Sequence, residues 1–394
     1  MKVAVVDPSL FTIPYDAALC DALAGAGAEV RFYGRSFRAG ESMPGRTRVI
    51  PHFYAASERL RNALPLKAVR LLKGVEHTAD MLRLRRRLAG ERPDVIHFQW
   101  APLPALDKRL MAGFSAIAPT VLTVHDTTPF NGSPNSSLQQ MGALAVFGAF
   151  DQLIVHTEAG RRALERRGID PARIAVIPHG VLALGTAEAK QAGAEKTVLL
   201  FGKIKHYKGT DLLIEAFAKL PQALRRITRL RIVGEPFIDI EPLKARAAEL
   251  GIADRIDWDL RYVGDAEIGA ILAAADVLAF PYREIDASGV LMGCFPYGKP
   301  IVATQIGAFR ELLRDGEHGR LVPPEDPPVL ARALADVLGD DASAAAMGEN
   351  VKALAAGVPG WDEIARRTLD LYRRIVPRTE RKDVPVGAAV KKAA

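Results

Sequence analysis

Three cations lie within one short segment of the chain, FGKIKHYKGT, at residues 201–210: Lys203, Lys205 and Lys208. The segment follows an apolar run typical of a strand and precedes a helical pattern. Gly202 allows the backbone to approach a ligand closely. Lysines beside the unpaired N–H groups of a helix terminus favour a diphosphate ligand. The alternative is an ordinary basic loop in solvent.

A second segment, EIDASGVLM at residues 284–292, also connects a predicted strand to a predicted helix. Ser288 is a suitable N-cap, and Gly289 would leave the N–H groups of the first turn accessible to an anion. Glu284 and Asp286 precede that helix, where their carboxylates could accept hydrogen bonds from sugar hydroxyls. Alternatively, both acids only interact favourably with the helix dipole.

These segments lie in a chain whose strand and helix patterns alternate almost throughout. Apolar strands between helices indicate parallel sheets covered on both faces, so we expect two doubly wound α/β domains that face each other across a cleft. The predicted division is an N-terminal domain at 1–184, a linker at 185–196, a C-terminal domain at 197–360, an amphipathic helix at 361–376 and a disordered tail at 377–394.

Composition restricts the function classes. The 394 residues carry a net charge of +7 and only two cysteines, which match no zinc or redox spacing. We therefore expect no metal site and a reducing environment. The N-terminus lacks a signal peptide pattern, and no apolar run is long enough to span a membrane, which predicts a soluble cytoplasmic protein. The positive charge favours an acidic partner.

Several motifs together resemble glycosyltransferase family 4. The resemblance is strongest at residues 198–322 and extends over nearly the whole chain. The matching stretches are FGKIKHYKGTDLLIEAF, LRIVGEP, AILAAADVLAFPYREIDASGV, YGKPIVATQIGAFRELL, DGEHGRLVPP, TVHDTTPF, LIVHTEAG, IAVIPHGV and WDEIA. The resemblance implies the GT-B fold, two facing Rossmann-like domains with a C-terminal helix that crosses back onto the first domain.

The resemblance also implies roles for individual residues. Lys203 and Lys208 would bind the donor diphosphate close to Gly202, and Ser288 and Gly289 would lie against the donor phosphates. Two acids would line the donor site as well: Glu284 contacts the transferred sugar, and Glu311 lies on the nucleotide side. His125 in TVHD would face the donor sugar across the cleft; a buried core histidine is the alternative.

The sequence departs from the family pattern at three places. Gly293 stands where the second glutamate of the paired motif is expected, an acid that ordinarily contacts the nucleotide ribose. Glu284 is one residue out of register with the first glutamate. The loop DPSLFTIPY at residues 7–15 lacks the paired glycines often found there, so acceptor contacts cannot be transferred.

The region Arg59–Arg87 carries nine basic residues against two acidic ones, with leucines and valines at helical spacing. A basic amphipathic surface of this kind is suited to an anionic membrane. An ordinary helix pair packed on the core is the alternative. Nucleic acid is not expected as a partner, because no recognition motif accompanies the charge.

Together these features predict a hexosyltransferase with a nucleoside diphosphate sugar as donor substrate and no cofactor. The acceptor class is a glycan or lipid-linked saccharide in exopolysaccharide or envelope glycan synthesis, at the inner membrane face. The resemblance implies retention of anomeric configuration. Two alternatives stay open: a nucleotide-sugar epimerase, and a non-catalytic GT-B scaffold that binds a nucleotide or glycan.

Overall fold

The computed structural model of the chain describes residues 1–38, 40–43, 45–128, 142–182, 184–185 and 195–377. Its strands are β1 Lys2–Asp7, β2 Glu29–Arg35, β3 Val49–Phe53, β4 Val95–Phe98, β5 Thr120–Val124, β6 Gln152–Val155, β7 Ile174–Val176, β8 Lys196–Phe201, β9 Thr228–Val233, β10 Ile256–Asp259, β11 Val277–Phe280, β12 Ile301–Thr304 and β13 Gly319–Val322. Its helices are α1 Ile13–Gly25, α2 Ala55–Arg59, α3 Leu66–Glu91, α4 Pro104–Ser115, α5 Ala143–Phe147, α6 Glu158–Arg166, α7 Thr210–Ala218, α8 Gln222–Arg226, α9 Glu241–Glu249, α10 Asp265–Ala273, α11 Gly289–Cys294, α12 Gly307–Leu312, α13 Pro327–Gly339, α14 Asp341–Gly357 and α15 Trp361–Ile375.

The strands form two parallel sheets, which confirms the predicted fold class. The order in the first is β3-β2-β1-β4-β5-β6-β7, and in the second it is β10-β9-β8-β11-β12-β13. In each sheet the chain crosses over from one side of the first strand to the other, between β1 and β4 and between β8 and β11. Ligands of doubly wound sheets bind at this switch point, outside the carboxyl ends of the strands.

Apolar side chains cover both faces of each sheet. Leu200 and Ile232 point into one layer of the second domain, which α7 and α13 complete with Phe217 and Leu334. The opposite face carries a separate apolar cluster that includes Leu199 and residues of α11. The first sheet is likewise covered on both faces. Burial on both faces explains why the central strands read as continuous apolar runs rather than as alternating ones.

The C-terminal helix crosses back onto the first domain, as the resemblance implied. Its apolar face joins the cluster formed by α1, where Ile364 and Tyr372 are fully buried. The hydroxyl of Tyr372 lies 2.5 Å from Nδ1 of His97 on β4. At the start of the helix, the indole N–H of Trp361 donates to the carbonyl of Val181 at 2.8 Å. The helix therefore contacts both the first sheet and the segment that follows β7.

Part of the predicted domain division falls outside the described residues. This holds for residues 186–194 of the predicted linker and 378–394 of the predicted tail. At the edge of the linker, the hydroxyl of Tyr297 donates to the carbonyls of Leu184 and Gly185, at 3.1 and 2.8 Å. The buried cysteines, Cys20 and Cys294, are both free thiols and lie in different domains.

Candidate functional site

The lysine segment connects β8 to α7 at the switch point of the second sheet, and two glycines determine its path. Gly202 has a φ of +103° and Gly209 a φ of +66°. A Cβ on Gly202 would lie 2.7 Å from Nζ of Lys208, and one on Gly209 would lie 2.0 Å from the carbonyl oxygen of Pro281. Glycine is therefore required at both positions, for backbone conformation and for space. Gly202 in particular leaves room for an ammonium group.

Lys208 is a buried cation with a side-chain hydrogen bond to a neutral group. It is only 4% exposed, and its Nζ donates to the carbonyl of Phe201 at 3.1 Å. The ring centroid of Tyr282 lies 5.1 Å away. Burial lowers the pKa of Lys208 to about 7, with a smaller contribution from the charge of Lys205. Because burying a charge is costly unless an opposite charge accompanies it, this position is suited to an anionic ligand.

Lys203 and Lys205 face an aromatic pair of the first domain. Nζ of Lys203 lies 4.4 Å from the ring centroid of Phe11, and Nζ of Lys205 lies 5.8 Å from it. Phe11 stacks on Trp100 with centroids 4.8 Å apart. Burial lowers the pKa of both lysines. The predicted diphosphate segment thus contacts the opposite domain through cation–π interactions.

A buried carboxylate holds Phe11 in this position. Asp7, the last residue of β1, accepts hydrogen bonds from the backbone N–H groups of Ser9, Phe11 and Thr12, at 3.0, 2.5 and 3.3 Å. Burial, and secondly the charge of Asp7, raise the pKa of the buried Asp16 well above the usual value. Side-chain acceptors of this kind can organise a turn without glycines. The missing paired glycines of the loop at residues 7–15 are therefore replaced by a carboxylate.

The segment before α11 lies beside the lysine segment. The Cβ position of Gly202 is 3.2 Å from Cγ2 of Val290. Ser288 caps α11, as expected, by accepting the N–H of Leu291 at 3.1 Å, and Gly289 is the first helical residue. The predicted phosphate contacts at residues 202, 208, 288 and 289 therefore share one region of the cleft.

The predicted donor acids occupy different positions. Glu284 is exposed. Asp286 accepts a short hydrogen bond from the backbone N–H of Thr127 in the first domain. Glu311 also reaches the first domain, where it accepts from the N–H groups of Glu158 and Ala159, at 3.2 and 2.7 Å. Since these N–H groups begin α6, the Glu311 carboxylate interacts favourably with that helix terminus.

Packing explains why residue 293 is a glycine. A Cβ at this position would lie 2.1 Å from Cδ1 of Leu184. Leu184 belongs to the apolar cluster that surrounds α11. An apolar side chain from the chain leaving the first domain therefore occupies the space next to residue 293. A glutamate could be accommodated there only if Leu184 moved.

His125 is half-buried among aromatic rings at the carboxyl end of β5. Its Nδ1 lies 3.2 Å from Nε2 of His156, and Tyr15 packs edge-on against it at a centroid distance of 4.9 Å. Burial lowers its pKa well below the usual value, so the ring is neutral. Nε2 of His125 is buried and has no hydrogen-bond partner among the residues that the structure describes. A lone pair in that condition is suited to a ligand hydroxyl.

The structure adds residues that sequence reasoning did not select. Asp126 follows His125 and lines the same small cavity as Trp100. Burial, and secondly the charge of Asp286, raise the pKa of Asp126 to about 6. The feature of the sequence that could have indicated Asp126 is its position directly after His125. For Phe11, Trp100 and His156 no signal in the sequence showed the contacts, since each depends on a pairing between distant segments.

In the described part of the chain, no group of three or more histidine, cysteine, aspartate or glutamate side chains is arranged to hold a metal ion. No described helix is both long and apolar enough to cross a bilayer.

Comparison with known proteins follows the same division of the chain. Residues 17–182 match the family described as Glycosyltransferase Family 4, and residues 187–354 match Glycosyl transferases group 1. A D-inositol 3-phosphate glycosyltransferase of Kineococcus radiotolerans is 31% identical over 335 residues, covering 76% of this chain and 75% of that protein. The Mycobacterium avium protein of the same name is 30% identical, covering 64% of this chain and 62% of its own length.

Solved structures of low identity share the fold. Sucrose-phosphate synthase from Thermosynechococcus elongatus superposes with a TM-score of 0.73 at 20% identity, covering 95% of this chain and 98% of that one. The Anabaena protein HepE in complex with UDP-glucose gives a TM-score of 0.71 at 17% identity. The match covers 95% of this chain and 100% of HepE. These likenesses establish the GT-B architecture.

We predict that Lys208→Met raises the melting temperature of the ligand-free protein and abolishes its stabilisation by nucleoside diphosphates. The pKa of Lys208 is depressed on folding, so its burial cost is present in full below about pH 7 and disappears as the pH rises towards the unfolded value. The gain in melting temperature should therefore be largest near pH 6 and smallest near pH 10. Lys219→Met, at an exposed position after α7, is the matched control. A lower melting temperature for Lys208→Met would assign Lys208 a structural role instead.

Proposed function

The chain belongs to glycosyltransferase family 4, and from this membership we propose that it transfers a hexose from a nucleoside diphosphate sugar to a hydroxyl group of an acceptor. One observation carries the proposal, the buried Lys208 at the switch point of the second sheet. Its charge, the Gly202 backbone and the start of α11 adjoin one another. A diphosphate placed there would supply a counter-ion.

The chemistry follows from this placement. Transfer breaks the bond between the sugar and the diphosphate, and negative charge develops on the departing diphosphate oxygen. Preorganised cations stabilise such a charge more effectively than water does, because they need no reorganisation during the reaction. Lys203 and Lys208 would perform this role without a metal ion. By family membership, the proposed reaction retains the anomeric configuration.

The first domain supplies the opposite side of the cleft. Nε2 of His125, which has no partner among the described residues, can accept a hydrogen bond from a hydroxyl of the transferred sugar. Phe11, which is 40% exposed, stacks on Trp100 beside the lysines, and this aromatic pair is suited to contact with an acceptor saccharide. Asp126 adds a carboxyl group on the same side. The expected transfer site therefore lies between β5 of the first domain and β8 of the second.

The exposed surface of α3 supports the proposal of a membrane-associated acceptor. Leu71 and Val75 are 73% and 65% exposed, one helical turn apart on the same face. Lys67 and Arg70 are exposed next to them, whereas Val69 and Leu84 face the core. An exposed apolar strip with cations beside it is suited to the surface of an anionic bilayer. We infer a lipid-linked saccharide as acceptor, at a membrane surface, in polysaccharide or envelope glycan synthesis.

Donor use is tested by thermal stabilisation and turnover with UDP-glucose, GDP-mannose and ADP-glucose and their nucleoside diphosphates. One nucleoside diphosphate series should raise the melting temperature according to its concentration over its dissociation constant. The matching sugar conjugate should then release nucleoside diphosphate only when a membrane lipid extract provides the acceptor. Binding without release under all conditions would support the non-catalytic scaffold, and sugar conversion without acceptor would support the epimerase. The absence of any stabilisation would contradict the proposal.

Membrane association is tested by co-sedimentation with vesicles. The protein should bind vesicles that contain phosphatidylglycerol at low salt and should not bind vesicles of pure phosphatidylcholine. The double variant Leu71→Ser, Val75→Ser should reduce the bound fraction at least about tenfold, because two apolar side chains no longer enter the interface. Ile227→Ser removes a comparably exposed apolar side chain from the second domain and should have no effect. Equal binding by all three proteins would exclude the α3 surface.

A further inference from the structure

A chain of hydrogen bonds connects the backbone carbonyl of Ile177, the residue after β7, through His156 to the ring of His125. Nδ1 of His156 lies 3.0 Å from the carbonyl oxygen of Ile177, and Nε2 of His156 lies 3.2 Å from Nδ1 of His125. His156 and Ile177 are buried, and His125 is half-buried. The chain ends at Nε2 of His125, which has no partner in the described residues.

The protonation of this chain follows from its fixed end. A carbonyl oxygen only accepts, so Nδ1 of His156 must carry the hydrogen that it donates to Ile177. Burial lowers the pKa of His156 to about 4, so the ring is neutral and its Nε2 has no hydrogen. Nε2 of His156 is then an acceptor, and Nδ1 of His125 must be the donor to it. Because His125 is also neutral, its single hydrogen lies on Nδ1.

We propose that His156 is a positioning residue: it fixes the tautomer and orientation of His125, so that Nε2 of His125 accepts a hydrogen bond from a hydroxyl of the transferred sugar. This inference rests on the proposed function for its sugar ligand. The tautomer of a histidine is determined by the hydrogen bond that its other ring nitrogen makes. Without His156, the hydrogen of His125 is free to move to Nε2, where it would turn the acceptor into a donor.

The surroundings of the histidine pair support a single arrangement. Tyr15 packs against both rings, at centroid distances of 4.9 and 5.2 Å. His179 packs against His156 at 5.2 Å and donates through Nδ1 to the carbonyl of Gly180 at 2.7 Å. Packing therefore restricts rotation of the rings, and backbone carbonyls orient two of the three histidines.

The test pairs two amide substitutions in the full-length protein. His156→Asn keeps a donor where Nδ1 contacts Ile177 but removes the acceptor that faces His125. His156→Gln keeps a carbonyl oxygen near the position of Nε2 and so retains the acceptor. Should His156→Asn fail to fold, His156→Phe removes the same acceptor and preserves the ring volume. Melting temperatures of the variants establish that each one is folded.

The first measurement is the tautomer itself, by multiple-bond ¹H–¹⁵N NMR on protein labelled at its histidines. In the native protein and in His156→Gln, His125 should carry its hydrogen on Nδ1. In His156→Asn, it should shift towards Nε2. A native His125 protonated at Nε2, or an unchanged tautomer in His156→Asn, would overturn the proposal. This measurement needs no substrate.

The second measurement separates sugar contacts from nucleotide contacts. Calorimetry compares UDP-glucose with UDP, and GDP-mannose with GDP, in the same three proteins. His156→Asn should lose about fivefold in affinity for the sugar conjugate that binds, the equivalent of one neutral hydrogen bond, and nothing for the sugar-free nucleotide. Equal losses for both ligands, or in both variants, would contradict the sugar contact. If no nucleotide binds, the proposed function fails. The NMR result still decides whether His156 fixes the tautomer of His125.

Discussion

The site depends on one unfavourable interaction, the burial of the Lys208 ammonium group at the end of β8. Its hydrogen-bond partner is a carbonyl oxygen, and its pKa falls to about 7 because water is excluded. Such a group destabilises the folded protein in the absence of an anion. Functional sites commonly retain strain or desolvation of this kind, which the surrounding core must outweigh. Here the four apolar layers that cover the two sheets supply that stabilisation.

Two carboxylates of the second domain already have partners in the first domain. Asp286 accepts the N–H of Thr127, and Glu311 accepts two N–H groups at the start of α6. Backbone N–H groups of the first domain thus bind carboxylates of the second domain. Sugar hydroxyls and ribose hydroxyls, as hydrogen-bond donors, would use the same acceptors.

The alternation of apolar strands and helices was sufficient to predict the fold class. The alternating pattern is weakest at β3 and β13, two strands that lie at the edges of their sheets. Pro51 interrupts the pattern of β3, and β13 contains Gly319 and Arg320, residues that are tolerated at an edge because one side of the strand is unpaired. Edge strands therefore carry a weaker sequence pattern than central ones do.

Local chemistry predicted the lysine segment and the Ser288 cap, since both depend on residues close in sequence. The remaining features depend on contacts between distant segments. Leu184 explains Gly293, and the Asp7 carboxylate explains the loop without paired glycines. The role of His125 can be interpreted only when His156, which lies 31 residues further along the chain, is placed beside it. The sequence shows these residues but not their pairing.

The most direct test of the account is the proton balance of nucleoside diphosphate binding at pH 8. Calorimetry with UDP or GDP in two buffers of different ionisation enthalpy measures the number of protons taken up. If the diphosphate binds beside Lys208, its charge should raise the depressed pKa of that lysine, and the protein should take up close to one proton. Binding of the nucleotide without proton uptake would contradict the assignment of Lys208 as the group that the donor diphosphate neutralises.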